Sequence, residues 1–91
     1  MRDANFEWDD RKAASNLRKH GVAFEHARAV FADPRGFDRP DFDEVDEDRF
    51  LITGLAGNQL LTVVFVHRGV RIRVISARKA TRNEQDEYNN G

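Results

Sequence analysis

The stretch that decides the fold is GVRIRVISARKATRNE, residues 69–84. Its aliphatic residues alternate with other residues between Val70 and Val74, a period typical of a β-strand with one buried face. Five basic residues lie within this strand or directly after it: Arg71, Arg73, Arg78, Lys79 and Arg82. The same segment must therefore supply both a core strand and a group of fixed positive charges.

Two further strands precede this one along the chain. Residues 49–56 (RFLITGLA) and 60–67 (LLTVVFVH) are rich in aliphatic and β-branched residues, and a Gly-Asn turn separates them. Short turns between successive strands predict an antiparallel meander. The last hairpin, before the strand at 70–77, is predicted to turn at a two-residue loop of Arg68 and Gly69.

This loop predicts which side chains share a face of the sheet. Phe65 lies opposite Ile72, on an apolar face that packs against the helices. Arg71 and Arg73 then project from the other face, which the helices leave open. A three-residue loop would shift the register by one residue and exchange the faces.

Ser76 and Arg78 follow at the end of the same strand. In a regular strand they alternate onto the apolar side, whereas a bulge would re-aim them. Arg49, at the start of the first strand, is the other basic residue that could converge on this end of the sheet.

Helices are predicted before and after the meander in the sequence. Residues 9–20 form a first helix, with Asp9 as N-cap and Gly21 as its left-handed C-terminal residue. Residues 24–32 form a second helix with one apolar face. Thr81 and Glu84 fit a capping box that starts a last helix at about residue 82.

The segment 33–48 contains eight acidic residues and both prolines, and is predicted to be a loop. A short edge strand around Phe37 is compatible with it, but Pro40 argues against a central strand. Together the elements predict one α+β domain over residues 1–91. Two N-terminal helices pack on one face of a small antiparallel sheet of three or four strands, and a C-terminal helix follows.

Charge is distributed unevenly along the chain, although its net value is only −1. Residues 1–48 contain 8 Lys+Arg and 13 Asp+Glu, whereas residues 49–82 contain 7 Lys+Arg and no acidic residue. Residues 83–91 contain three acidic residues and no basic one. The basic middle segment favours an anionic partner such as nucleic acid, and a sheet with a basic exposed side is the simpler alternative.

Several kinds of chemistry have no support in the sequence. The absence of cysteine excludes disulfides and thiolate catalysis, and suits a reducing cytoplasm. The spacings of His20, His26 and His67 fit no zinc motif, so neither a metal nor a cofactor is predicted. No apolar run approaches the ~20 residues of a membrane-spanning helix.

The clustered arginines suit phosphate chemistry. Arginine stays protonated and binds phosphate oxygens through a planar fork, so it stabilises charge that develops on phosphorus. RNA carries its own nucleophile, the 2′-hydroxyl. A protein that cleaves RNA through this group needs alignment and positive charge rather than a metal. For each arginine the alternative is a surface charge or a phosphate contact without catalysis.

Two blocks of the sequence resemble the BrnT-type toxins, the ribonuclease components of type II toxin–antitoxin pairs. FEWDDRKAASNLRKHGVAFEHA spans residues 6–27, RIRVISARKATRNEQDEY spans residues 71–88, and DRF at 48–50 lies between them. The specific motifs are D-x-x-K-A-x-x-N-x-x-K-H-G and R-x-I-S-A-R-x-A-T. The resemblance covers nearly the whole chain in the same order.

This resemblance implies a RelE-like fold, metal-independent RNA cleavage and inhibition of translation. It also implies a BrnA-type antitoxin whose ribbon-helix-helix part binds operator DNA, in a hetero-oligomer with the toxin. Carried over by position, the catalytic residues are Arg49, Arg73, Ser76 and Arg78. Second-line candidates for RNA binding are Lys19, His20, His67, Arg71 and Lys79. For His20, at the C-terminus of the first helix, capping of that helix is the simpler role.

Two other functions agree with the same residues. The first is a non-catalytic toxin of the RelE/ParE type that binds the ribosome or gyrase. The second is a nucleic-acid-binding module without toxicity. The acidic loop at 33–48 has no counterpart in the resemblance and is interpreted as a solvated loop. The alternatives are that it contacts a basic antitoxin segment or shields the active face.

Overall fold

Five strands and four helical segments form the computed structural model, which describes residues 1–42 and 48–91. The strands are β1, Phe6–Glu7; β2, Phe37–Pro40; β3, Arg49–Ala56; β4, Gln59–Arg68; and β5, Arg71–Lys79. The helices are α1, Asp10–His20; α2, Phe24–Ala27; a 3₁₀ helix, Arg28–Ala32; and α3, Arg82–Asn90. Residues 43–47, near the C-terminal end of the predicted acidic loop, lie outside the described residues.

The ends of α1 are fixed by residues that its sequence supplies. The Asp9 carboxylate accepts hydrogen bonds from the N–H groups of Arg11 and Lys12, at 2.8 and 3.1 Å. Gly21 ends the helix with a φ of 68°, a left-handed conformation that glycine adopts without strain. The predicted first helix and both of its caps are confirmed.

The strands form one mixed sheet in the order β1-β5-β4-β3-β2. The antiparallel pairing of β3, β4 and β5 is confirmed, and β2 is the predicted edge strand. The prediction of a purely antiparallel sheet of three or four strands is wrong, because β1 pairs with β5 in parallel and makes five strands. A strand of two residues is too short to produce a periodic pattern, so only its pairing with β5 in the folded structure identifies it.

The last hairpin turns one residue later than predicted. Arg68 pairs with Arg71, so the loop consists of Gly69 and Val70. Gly69 has a φ of 60°, and glycine is the residue that takes this conformation at the first position of a tight hairpin turn. The pairing is displaced by two residues from the predicted register, so each side chain before the bulge described below keeps its predicted face.

A β-bulge interrupts β5 beyond this hairpin. Phe65 pairs with Val74, but the next residue of β4, Val64, pairs with Ser76. Ile75 is therefore the extra residue, and the alternation of faces along β5 changes phase there.

The core lies between the helices and one face of the sheet. Phe24 and Val30 come from α2 and the 3₁₀ helix, and they pack with Leu61, Val63 and Val74 from the sheet. All five are less than about 2% exposed, and burial of each such side chain stabilises the fold by about 1.5–3 kcal/mol. The second predicted helix thus exists, although it divides into an α-helical and a 3₁₀ part.

The C-terminal helix starts where its capping box predicts. Thr81 Oγ1 accepts a hydrogen bond from the Glu84 N–H at 3.2 Å, and the Glu84 carboxylate accepts one from the Thr81 N–H at 2.8 Å. Within the described part of the chain, no helix has the length and apolar composition to cross a membrane.

Candidate functional site

Two of the predicted catalytic arginines share a row on the sheet face opposite α1 and α2, called here the open face. Arg49 on β3 and Arg73 on β5 both pair with Val66, which lies between them on β4. Because neighbouring strands lie about 4.8 Å apart, the Cα atoms of the two arginines are roughly 10 Å apart. Two long side chains at this separation can converge on one phosphate group.

The bulge at Ile75 brings the other two predicted catalytic residues to the same face. Ser76 and Arg78 project on the side of Arg73, while Ala77 turns into the core and is fully buried. The expectation for a regular strand is therefore wrong, and the alternative, that a bulge re-aims these residues, is confirmed. One extra residue in β5 places three polar side chains of the strand on one surface.

Arg49 and Arg73 line a concavity of about 350 Å³. We call it the arginine pocket; its lining residues are Asp48, Arg49, Val66, His67, Arg68, Arg73 and Ile75. Three arginines face one acidic residue here, so the pocket is positively charged and suits an anionic group.

Glu7 holds Arg73 from the neighbouring strand β1. Glu7 on β1 is the pairing partner of Arg73 on β5. The Arg73 Nη1 group donates a hydrogen bond to Glu7 Oε2 at 2.8 Å. This hydrogen bond lowers the pKa of Glu7 from its ordinary value, although burial opposes the effect. Arg73 Nε and Nη2 form no hydrogen bond with residues 1–42 or 48–91, so they can bind a ligand.

Ser76 lines a second concavity, of about 200 Å³, between α1 and the end of β5. We call it the helix pocket; its lining residues are Lys12, Ser15, Asn16, Lys19, His20, Ile75 and Ser76. The predicted RNA-binding residues Lys19 and His20 are thus brought next to Ser76, although 56 residues separate His20 from Ser76 in the sequence.

Asn16 fixes the position of α1 against β5. Its side-chain amide donates to the Ala77 carbonyl at 2.8 Å and accepts from the Ala77 N–H at 3.1 Å, as a neighbouring strand would. It also donates to the Val22 carbonyl at 2.9 Å, and its side chain is buried. Because β1 ends beside Arg73, Asn16 satisfies the backbone of β5 where the strand neighbour is missing.

Arg78 lies in a different environment, at the end of the open face that α3 covers. Its two Nη groups donate to the Glu84 carboxylate at 2.7 and 3.2 Å. Arg39 and the Thr62 hydroxyl also donate to Glu84, and Thr62 does so at 2.8 Å. We call Arg39, Thr62, Arg78 and Glu84 the Glu84 cluster; it ties α3 to strands β2, β4 and β5.

Glu84 is ionised under all ordinary conditions. Its burial raises the pKa, but hydrogen bonds from Arg78, the Thr81 N–H and Thr62 together lower the pKa to about 2. A carboxylate that is only 9% exposed and this strongly bound is a structural partner for Arg78.

The remaining predicted RNA-binding residues are dispersed. The His67 ring packs edge-on against Phe50 and Phe65, although the residue borders the arginine pocket. Arg71 donates from Nε to the Asp3 carbonyl at 2.7 Å. Lys79 lines a separate concavity at the opposite end of β5 from the arginine pocket. The structure therefore does not bring these three to one point.

Sequence reasoning missed several residues of this surface. Glu7 and Arg39 lie on strands at the two edges of the sheet, and Arg68 was assigned only to the hairpin turn. Lys12 and Asn16 lie one helical turn apart, and on one face with His20, so their spacing was the signal that could have identified them. In the part of the chain that the structure describes, no three His, Asp or Glu side chains form a group that could hold a metal ion.

Comparison with known proteins gives one family. A family model described as "Ribonuclease toxin, BrnT, of type II toxin-antitoxin system" matches residues 8–84, which is 77 of the 91 residues. No curated protein matches the chain. The matched range contains all the residues that line both pockets, whereas Asp3 and Glu7 precede it.

Proposed function

The chain belongs to the BrnT family, the ribonuclease toxins of type II toxin–antitoxin systems, and we propose that it cuts RNA in the arginine pocket. The observation that carries this proposal is the row of Arg49 and Arg73 on the open face, on either side of Val66. Ser76, the one residue of β5 with a hydroxyl group, lines the adjoining helix pocket.

The proposed chemistry uses the nucleophile that RNA carries. The 2′-hydroxyl gives its proton to solvent water as its oxygen attacks the adjacent phosphorus. The bond from phosphorus to the 5′-oxygen then breaks and this oxygen takes a proton from water, so a 2′,3′-cyclic phosphate and a 5′-hydroxyl result. Arg49 and Arg73 neutralise the charge that grows on the phosphoryl oxygens. Since arginine stays protonated, neither residue accepts the 2′-hydroxyl proton. No metal takes part in this scheme.

Arg78 has another role in this proposal. Both of its Nη groups bind Glu84, so its guanidinium is committed to holding α3 on the sheet. We assign the direct phosphate contacts to Arg73 and Arg49, and a supporting role to Arg78.

The test is cleavage of a defined RNA by the purified protein in the presence of EDTA. Cleavage should persist, and the products should carry a 2′,3′-cyclic phosphate and a 5′-hydroxyl. The control is the same oligonucleotide with 2′-deoxy residues, which should not be cut. Loss of activity with EDTA, or products with a 5′-phosphate, would contradict the proposed chemistry. A toxic protein that leaves RNA intact would point to a non-catalytic toxin.

The proposed partner is a BrnA-type antitoxin. The type II family implies an antitoxin that neutralises the toxin. We propose that it carries a ribbon-helix-helix part, that its complex with the toxin binds operator DNA, and that both proteins are cytoplasmic. A neighbouring small reading frame with this pattern, whose product copurifies with the toxin and suppresses RNA cleavage, is the expected finding. A neutralising partner without a DNA-binding part would contradict it.

A further inference from the structure

The arginine pocket and the helix pocket meet at one residue. Ile75, the extra residue of the bulge, lines both concavities. Arg73 and Ser76 lie on either side of it on the same strand and the same face. Three residues of extended chain span roughly 10 Å. Two nearby phosphates of a single nucleic-acid strand, one or two nucleotides apart, can contact the long side chains on both sides of Ile75.

The helix pocket has the chemistry of a phosphate site. Lys12, Lys19 and His20 are exposed on one face of α1, and all of them line this pocket. Its lining contains no acidic residue within the described chain. Asn16, buried among them and bound to Ala77, fixes this basic face against the end of β5.

An apolar surface lies between and beside the arginine pocket and the helix pocket. Val64, Val66 and Ile75 are half-buried on the open side of β4 and β5. Unstacked bases pack on apolar and aromatic side chains, whereas the bases of a duplex are stacked within it and present only their edges. Two cationic pockets joined by apolar side chains therefore fit a single strand better than a duplex.

We propose that the helix pocket binds a second, uncleaved phosphate of a single-stranded RNA that crosses Ile75. This inference rests on the proposed function, since it takes the arginine pocket as the position of the scissile phosphate. Lys12 and Lys19 supply the second phosphate contact. The substrate is then single-stranded RNA longer than a dinucleotide.

The test measures binding, so that it does not depend on catalysis. The ligands are 2′-O-methyl oligonucleotides of two and six nucleotides, which lack the nucleophile. The variant is Lys12→Gln with Lys19→Gln. Its matched control is Arg11→Gln with Arg18→Gln, which removes the same charge from neighbouring exposed positions of α1 that line neither pocket. Affinity is measured by fluorescence anisotropy over a range of salt concentrations.

The lysine variant should bind the hexanucleotide about tenfold more weakly than the wild type at low salt. The slope of log affinity against log salt should fall by about 0.7, the value for the loss of one phosphate contact to a single strand. Its affinity for the dinucleotide should be nearly unchanged. The arginine control should retain the wild-type slope for both ligands.

Three outcomes would overturn the proposal: equal losses in the lysine and arginine variants, equal losses for both oligonucleotide lengths, or tighter binding of a duplex of the same length. Failure of the proposed function is a separate result, because it appears as absent cleavage or as unchanged cleavage by Arg73→Ala. The salt dependence of binding reports on the helix pocket in either case.

Discussion

Arg73 and Arg78 lie five residues apart on one strand and project from one face, yet their carboxylate partners bind different numbers of their nitrogens. Arg73 gives one nitrogen to Glu7 and lines an open pocket. Arg78 gives both terminal nitrogens to Glu84 of α3. Under the proposed function, this difference predicts that Arg73 contributes mainly to chemistry and Arg78 mainly to stability, because a carboxylate occupies one terminal nitrogen of Arg73 but both of Arg78.

The largest expected effect is that of Arg73→Ala on catalysis. Removing one preorganised donor to a developing charge typically costs about 100- to 1,000-fold in rate. We expect a fall of this size in kcat for RNA cleavage, while circular dichroism shows a folded protein. Arg78→Ala is the matched variant, and at a temperature where it remains folded it should retain most of its activity. Equal losses of kcat in the two variants would remove the distinction between them.

The second effect concerns stability at the Glu84 cluster. The folded-state pKa of Glu84, about 2, lies below its ordinary value of 4.5, a difference worth roughly 3 kcal/mol. Because the pKa is depressed, this stabilisation is present above pH 4.5 and is lost as the pH falls toward 2. Urea unfolding of the wild type and Glu84→Gln should therefore differ by about 3 kcal/mol at pH 7, and by much less at pH 2.5.

Glu87→Gln is the control for this measurement, since Glu87 is an exposed carboxylate on the same helix. It should follow the wild type at every pH. A difference between the wild type and Glu84→Gln that stays constant from pH 7 to pH 2.5 would show that ionisation of Glu84 does not stabilise the fold.

The third effect tests Glu7 as a positioning residue for Arg73. Glu7→Ala should lower kcat by about tenfold, because the guanidinium loses its anchor. Glu7→Gln keeps an oxygen that accepts the Arg73 hydrogen bond, so it should restore most of the activity. If Gln is as harmful as Ala, the negative charge itself is required, and Glu7 is then a candidate for the proton acceptor.

The smallest expected effect lies at the far end of α3. The Tyr88 hydroxyl donates to Asp33 Oδ2 at 2.7 Å, and this hydrogen bond, with burial, raises the pKa of Tyr88 from 10. Tyr88→Phe should lower Tm by about 5 °C and leave cleavage unchanged. A loss of cleavage at a temperature where the variant is folded would extend the site to this end of the sheet.

Most of the secondary structure could be predicted from local patterns. The caps of α1, the capping box at Thr81 and the three central strands depend on residues close in sequence, and all are confirmed. The parallel strand β1 could not be predicted, because two residues carry no period and the pairing is with a strand about 66 residues later. The hairpin loop was predicted one residue too early in the chain, although Gly69, which lies in the observed loop, indicated the turn.

The site was predicted in part. The sequence alone identified the residue types, an acid-free basic segment and the I-S-A-R motif, because charge and spacing are local properties. The tertiary structure decided their grouping. The bulge at Ile75 turns Ser76 and Arg78 onto the open face, and β1 and α3 bring Glu7 and Glu84 to the two arginines. No local pattern encodes this outcome, because a one-residue change in strand phase and a carboxylate from a distant element depend on packing.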